Sequence, residues 1–399
     1  MLVLLVLYHM LIISLLFYVG LSTIYLLSIA ASYFIIPPKK LSDSEYLNKF
    51  IILVPAHNEE LLIGTICQSL TQVNYPFEKY KIYIIADNCD DKTIEKASEY
   101  GVKILERHDL EHSGKGQALA WALEKVPIEE FDAVFMVDAD NYVDTEILRE
   151  LNRHINSGET AIQCYNAVGN RDDSWFTQLL YVSRVISNLL YHEGKYRLDL
   201  SSYLMGNGLC FKSKLIQERG WTAFSTGEDW EYYAQLIEDG IKISFAATAK
   251  VYHQESRSLN QATSQRLRWS SGRFQIAKTL GLRLLWKGVK EKKLTMFDAS
   301  LPLVLPNYSL LVNLTIISIG FTLFFYKYTQ LKIILIALII LIIFQISLFI
   351  TGALIAKKLK KTIISLSFVP IFLIWKLGID IMTFTKLYKC KKWIRTVRH

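Results

Sequence analysis

The 399-residue chain is 51% hydrophobic with a formal net charge of +8, and its mean hydropathy of +0.23 indicates membrane-embedded segments rather than an ordinary soluble domain. Five cysteines, Cys67, Cys89, Cys164, Cys210 and Cys390, are scattered without C-x-x-C spacing, which argues against a disulfide framework or zinc ribbon and suits a reducing compartment. The positive charge comes from residues 266–293 and from a tail, 386–398, with six Lys or Arg and no acid. Both lie beside apolar segments, so anionic lipid explains them better than nucleic acid.

Residues 1–36 contain no Asp, Glu, Lys or Arg, and as a helix they would extend about 54 Å against a hydrocarbon layer near 30 Å. One tilted, overlong span is the preferred reading; a hairpin turning near Gly20 is the alternative. A signal peptide does not fit, because the apolar stretch is too long and begins without basic residues. Pro37, Pro38, Lys39 and Lys40 end the helix and place positive charge on the expected cytoplasmic side.

From Phe50 the pattern alternates between strand and helix. Residues 50–54 read as a buried strand, and Pro55-Ala56-His57-Asn58 as a turn into a helix beginning Glu59-Glu60, with acids in its first turn. Residues 81–86 form a second strand leading into Asp87-Asn88-Cys89-Asp90-Asp91 and another helix; residues 102–105 form a third. Gly114-Lys115-Gly116 opens a helix through Leu123. The apolar run 133–137 then fits a strand buried on both faces and ends in Asp138-Ala139-Asp140. Side chains two apart in extended chain share a side, so these two carboxylates converge. At about 4 Å and an effective dielectric near 20 they repel by roughly 4 kcal/mol, which a bound cation removes. Oxygen ligands of this kind suit Mg²⁺ or Mn²⁺; a helix N-cap with an acidic neighbour is the alternative for an isolated D-x-D. Such alternation implies a parallel sheet with ligands at the carboxyl ends of its strands. Neither the dinucleotide nor the P-loop glycine fingerprint is present.

Residues 175–193 carry apolar groups at helical spacing. Gly206-Asn207-Gly208 precedes a short strand; its glycines would let a substrate approach the backbone or simply make a tight turn. Glu228 and Asp229 stand at the start of a helix over 230–238, and a strand over 243–246 is followed by Val251-Tyr252-His253. Gln265, Arg268 and Trp269 then fall at i, i+3 and i+4 on one helix face, an amide, a guanidinium and an indole suited to a sugar ring and a phosphate; an amphipathic helix with a buried Trp is the alternative. Residues 274–293 alternate apolar and basic groups, as in a helix on a membrane surface. Strong spans are expected near 305–326 and 331–356, with Lys357, Lys358, Lys360 and Lys361 marking the cytoplasmic side. The apolar segment 363–384 contains Pro370, Lys376 and Asp380, and a full crossing would carry the basic tail outside, so a re-entrant or interfacial segment is expected.

Together, Asp87 after the second strand, Asp138-x-Asp140, Gly227-Glu228-Asp229 and Gln265-x-x-Arg268-Trp269, in that order between membrane segments, resemble the membrane-embedded family 2 glycosyltransferases. These include cellulose, chitin, hyaluronan and poly-N-acetylglucosamine synthases and ceramide glucosyltransferases. The resemblance implies an α/β GT-A fold, Rossmann-like and mostly parallel, as a cytosolic catalytic domain between N- and C-terminal transmembrane helices. The division it implies is an anchor at 1–36, a catalytic domain at 37–255, Q-x-x-R-W and interfacial helices at 256–297, a transmembrane region at 298–384 and a cytosolic tail at 385–399.

By the same resemblance, Pro55, Ala56, His57, Asn58, Glu59 and Asp87 line the nucleotide pocket, with Lys115 as a diphosphate or donor contact. Asp138 and Asp140 meet the diphosphate through Mg²⁺ or Mn²⁺, and His253 is a candidate further metal ligand. Asp229, with Glu228 beside it, is the catalytic base, while Gln265, Arg268 and Trp269 hold the donor diphosphate and the acceptor end. The chain departs from the commonest pattern with Gly227 in place of Thr and Asp87-Asn88 in place of Asp-Asp. The expected activity is inverting, metal-dependent transfer from a nucleotide sugar, UDP-linked first, to a growing polysaccharide in β linkage, at the cell membrane, with accessory export proteins as compatible partners. Single transfer to a lipid is the alternative, and a dead nucleotide-sugar-binding scaffold stands third; nucleic acid is not an expected partner.

Overall fold

The computed structural model describes residues 2–329, 332–357 and 364–385. Lys358, Lys360, Lys361 and the basic tail, on which part of the expected topology draws, lie outside them.

Among the described residues, eight strands form one sheet: β1 (Phe50–Ala56), β2 (Tyr80–Asp87), β3 (Lys103–Arg107), β4 (Ala133–Met136), β5 (Asn141–Val143), β6 (Ala161–Val168), β7 (Leu209–Lys212) and β8 (Ser244–His253), in the order β3-β2-β1-β4-β7-β6-β8-β5. The continuous apolar run of β1 follows from its central place, with successive side chains entering opposite cores. Ile51 and Leu53 pack with Leu119, Phe211 and Tyr233, while Phe50, Ile52 and Val54 pack with Ile66 and Leu148. Pro55 belongs to β1 and is not the turn the sequence suggests. Leu53 accepts from the Val137 amide at 3.1 Å, so Pro55, two residues on, also faces the β4 side, where β4 has ended and the missing N–H matters least.

The sheet is mixed. β3, β2, β1 and β4 are parallel, as expected, but β7 runs antiparallel to β4 and to β6. Sequence reasoning missed β5 and β6. The reason in β6 is its buried polar content: Gln163 is fully buried, and its amide is spent on the Asn207 carbonyl at 2.8 Å and the Met205 amide at 2.7 Å. The strand expected over 243–246 continues to His253 after an irregularity against β6.

The N-terminal apolar stretch is one helix, α1 (Leu2–Ile35), not a hairpin. It packs beside α13 (Tyr308–Thr329) and α14 (Lys332–Ile355), where buried Gln345 donates to Thr23 and Thr315 Oγ1 at 2.9 Å each. Among the described residues, these three helices are long and apolar enough to cross a membrane. The segment expected to be re-entrant forms α15 (Val369–Phe384), 16 residues or about 24 Å, short of a 30 Å layer.

Helix α1 also grips the sheet domain. After α6 (Trp175–Val185), the chain makes π-helical turns over Ile186–Glu193 and a last turn, α7 (Gly194–Arg197). Lys195, fully buried, pairs at 2.8 Å with Asp298, which accepts from Tyr25 of α1 at 2.8 Å. Arg197 donates to the Ile36 carbonyl at 2.8 Å. At Gly194 a Cβ would overlap the Ile29 carbonyl. Gly194→Ala is therefore expected to lower stability by about 1–3 kcal/mol through overpacking, read as a lower Tm in detergent, while Gly378→Ala, whose Cβ meets nothing within 4 Å, serves as the matched control.

Candidate active site

The site forms where the antiparallel β7 starts beside the end of β4. Asp138, just past β4, donates its backbone amide to Asn207 Oδ1 at 3.1 Å. Lys115, the first residue of α4 (Lys115–Leu123), donates from Nζ to both Asp138 Oδ1 and the Gly206 carbonyl. Gly206 and Gly208 have φ of +76° and +66°, left-handed values that glycine adopts without strain. A Cβ on Gly206 would lie 3.2 Å from Asp229 Oδ2, and one on Gly208 would press on Cys164 and Val251 at 2.9 Å. These glycines thus make room for a carboxylate and for the sheet.

Asp229 lies in the first turn of α9 (Glu228–Glu238), which begins two residues earlier than expected. Burial disfavours the Lys115 charge, but attraction to Asp138, Glu228 and Asp229 raises its pKa above the ordinary lysine value. Burial lifts Asp138, reinforced by Asp140 and opposed by Lys115 and Arg268. Burial likewise raises Glu228, opposed by Lys115 and Arg268. Burial and then Glu228 push Asp229 up to about 7. The structure therefore brings together Lys115, Asp138, Asp140, Glu228, Asp229 and Arg268.

Asp140 precedes β5, whose Asn141 pairs with His253 across the antiparallel β5–β8 ladder. His253 Nε2 is 3.0 Å from Glu255 Oε1, which leaves Nδ1 as the ring nitrogen not used by that contact. Among the described residues, no three His, Cys, Asp or Glu side chains form a closed metal cage. An open pair of carboxylates fits Mg²⁺ or Mn²⁺, which take one or two carboxylates and complete their shell with phosphates and water.

Gln265, Arg268 and Trp269 sit on α10 (Leu259–Ile276), capped by Ser258. Arg268 Nε is buried without a hydrogen-bond partner, and Trp269 is 37% exposed. Gly227 explains the departure from Thr: a Cβ there would lie 3.1 Å from the Gly272 backbone of α10, so the two glycines set how closely α9 and α10 approach.

Pro55, Ala56, His57, Asn58, Glu59 and Asp87 form a neighbouring group at the carboxyl ends of β1 and β2. His57 Nδ1 donates to the Asp87 carbonyl at 2.7 Å. Asn58, at φ +56°, exchanges hydrogen bonds with Asp90 at 2.5 and 2.9 Å. The amides of Glu59 and Glu60 go to Thr93 Oγ1 at 2.7 Å and Asp91 Oδ2 at 3.1 Å. The helix expected at Glu59 begins at Ile63, after a turn in which the Leu62 and Ile63 amides donate to the Glu59 carbonyl at 3.0 and 2.9 Å.

Asp87 is buried and paired at 2.6 Å with Arg107, its register partner at the end of β3. Arg107 also meets Asp109 at 3.0 Å and the His112 carbonyl at 2.7 Å. Sequence reasoning missed Arg107, although a lone Arg closing a short strand beside Asp87 was its signal. Gln163, Glu255 and Arg266 were likewise passed over as site-supporting residues.

A family model described as glycosyltransferase-like family 2 matches residues 48–272, and the chain belongs to that family: it is a glycosyltransferase with a GT-A fold flanked by apolar helices. A mannosyltransferase from Pyrobaculum calidifontis, solved in complex with GDP-Man and Mn²⁺, shares the fold at TM-score 0.62 over 95% of this chain and 99% of that one, with 14% identity. The probable glycosyltransferase YdaM of Bacillus subtilis is 22% identical over 244 residues, 59% of this chain and 57% of that protein. The beta-monoglucosyldiacylglycerol synthase of Trichormus variabilis is 26% identical over 231 residues, 56% of this chain and 48% of that protein. The chain spans about half the length of these two relatives.

Removing Arg107 strands a buried carboxylate, so Arg107→Met is expected to cost about 3–5 kcal/mol. Thermal unfolding in detergent checks this, and the double variant Asp87→Asn/Arg107→Met should regain much of the loss.

Proposed function

We propose that this glycosyltransferase transfers a sugar from a nucleotide sugar, UDP-linked first among donors, to a hydroxyl at the bilayer surface by one displacement with inversion. The observation that carries the reading is the approach of Asp229 to Gly206, whose carbonyl shares the Lys115 ammonium with Asp138. A base and a diphosphate-facing turn thereby occupy one cleft. Asp229, its pKa held up by burial and then by Glu228, takes the proton of the attacking hydroxyl, a typical 10²–10⁴-fold contribution. Lys115 and Arg268 lie where charge develops on the leaving diphosphate, and Gln265 and Trp269 contact the acceptor end. Asp138 and Asp140 would hold Mg²⁺ or Mn²⁺ without His253, since no group of three such side chains forms among the described residues; the ion would supply further neutralisation of that charge. Pro55 to Glu59 and Asp87, oriented by Arg107, bind the nucleotide. With no enzyme nucleophile in the scheme, an α-linked donor yields a β-linked product.

Sequence reasoning places a growing polysaccharide first as acceptor. Relatives named for beta-monoglucosyldiacylglycerol favour the alternative, one sugar placed on a lipid, and we adopt it. The catalytic part at 37–255 then works on the cytosolic side of a multi-pass anchor in the cell membrane. Product mass after incubation with labelled nucleotide sugars tests the choice: a single fixed mass supports the lipid, and a series lengthening with time supports the polymer. The assembled carboxylates and Arg268 disfavour a dead scaffold, for which binding without turnover would be the sign.

Asp229→Asn is expected to retain donor binding and abolish transfer; normal turnover would remove Asp229 as the base. Because that base acts deprotonated and has a pKa of about 7, kcat/KM of the wild type should fall as pH drops through 7. In calorimetric titrations with donor, Asp138→Ala and Asp140→Ala should lose the Mn²⁺-dependent part of binding, and full affinity without metal would count against the site.

A further inference from the structure

Glu255, two residues past β8, has a side chain only 1% exposed. Its Oε1 lies 3.0 Å from His253 Nε2 and 3.3 Å from Arg184 Nη2, and its Oε2 accepts from Arg266 Nη2 at 2.6 Å. The backbone is pinned as well, with the Glu255 amide donating to Asn170 Oδ1 at 2.8 Å and its carbonyl accepting from Asn170 Nδ2 at 2.9 Å. One carboxylate therefore joins α6 through Arg184, β8 through His253 and α10 through Arg266. The chain does not stop there, because the Arg266 guanidinium lies 4.6 Å over the Trp269 ring. Trp269 is the exposed member of the Gln265–Arg268–Trp269 face.

We propose that Glu255 is a positioning residue that holds Arg266 against Trp269 and so fixes the acceptor-facing side of α10 relative to the His253 end of β8. The carboxylate is enclosed by Arg266, Arg184 and His253, with ion-pair distances of 2.6, 3.3 and 3.0 Å. A neutral hydroxyl or amide could cap Arg184 or Arg266 singly; only a carboxylate satisfies two guanidinium groups and an imidazole N–H at once.

The proposal rests on reading α10 as the acceptor side, so its test has one arm with turnover and one without. In full-length enzyme in nanodiscs, Glu255→Gln should lower kcat at least tenfold with donor KM within twofold. Glu255→Asp should restore part of the loss, Arg266→Met should reproduce it, and the double variant Glu255→Gln/Arg266→Met should be no worse than Glu255→Gln alone. Without substrate, hydrogen exchange over residues 259–276 should quicken at least tenfold in Glu255→Gln while β1 and β4 stay protected. Wild-type kcat, or unchanged exchange over 259–276, overturns the proposal, as does an effect that Arg266→Met adds to fully. If wild type turns over no nucleotide sugar, the reading of the site fails and the exchange arm decides this proposal alone. Should Glu255→Gln fail to fold, Arg266→Met serves in both arms, since it leaves Glu255 paired with Arg184 and His253.

Discussion

The ammonium of Lys115 sits where two turns bearing carboxylates, at Asp138 and at Glu228–Asp229, meet the Gly206 turn, and without it their negative charge would drive them apart. Two carboxylates about 4 Å apart repel by roughly 4 kcal/mol at an effective dielectric near 20, and here Asp138, Asp140, Glu228 and Asp229 act on one another within a half-buried cleft. Lys115 answers by bonding Asp138 and the Gly206 carbonyl, which also ties the start of α4 to the turn before β7. The cleft thus has an internal cation, and an arriving divalent ion would share the carboxylates with it.

That meeting point exists because the sheet changes direction. Four parallel strands bring the loops after β1, β2 and β4 to one edge, but Asp229 reaches it only because β7 runs back along β4 and places its entry turn beside Asp138. The turn is held by Gln163 from β6, and its left-handed Gly206 leaves the space that Asp229 fills. Glycine has a second use at Gly227 and Gly272, where backbone meets backbone and the helix with Asp229 is set against the helix with Arg268.

The apolar helices and the sheet domain are joined by polar contacts at shielded positions. Lys195 and Tyr25 converge on Asp298, and Trp375 of α15 donates to Thr263 of α10 at 3.0 Å. Lys376 of α15 pairs with Asp380 at 2.5 Å and reaches Ser270, next to Trp269, at 3.4 Å. The charges within that apolar segment therefore serve α10, which explains why a helix too short to span carries them. Helix α10 is thus held on one side by α15 and, through Glu255, on the other by the sheet.

Composition and periodicity by themselves determined the long apolar helix at the N-terminus, the alternating strands from β1 to β4 and the order of the acidic turns, because each depends on neighbours a few residues apart. The long apolar run of α1 and the strand-end position of Asp138 needed no partner to be read. What only the tertiary structure decided depends on residues far apart in the chain: the antiparallel β7, the polar β6, the Arg107 that occupies Asp87, and the Glu255 that gathers Arg184, His253 and Arg266. A buried polar side chain looks like surface in a sequence, since the partner that satisfies it lies on another element and its burial becomes evident only once the elements have packed.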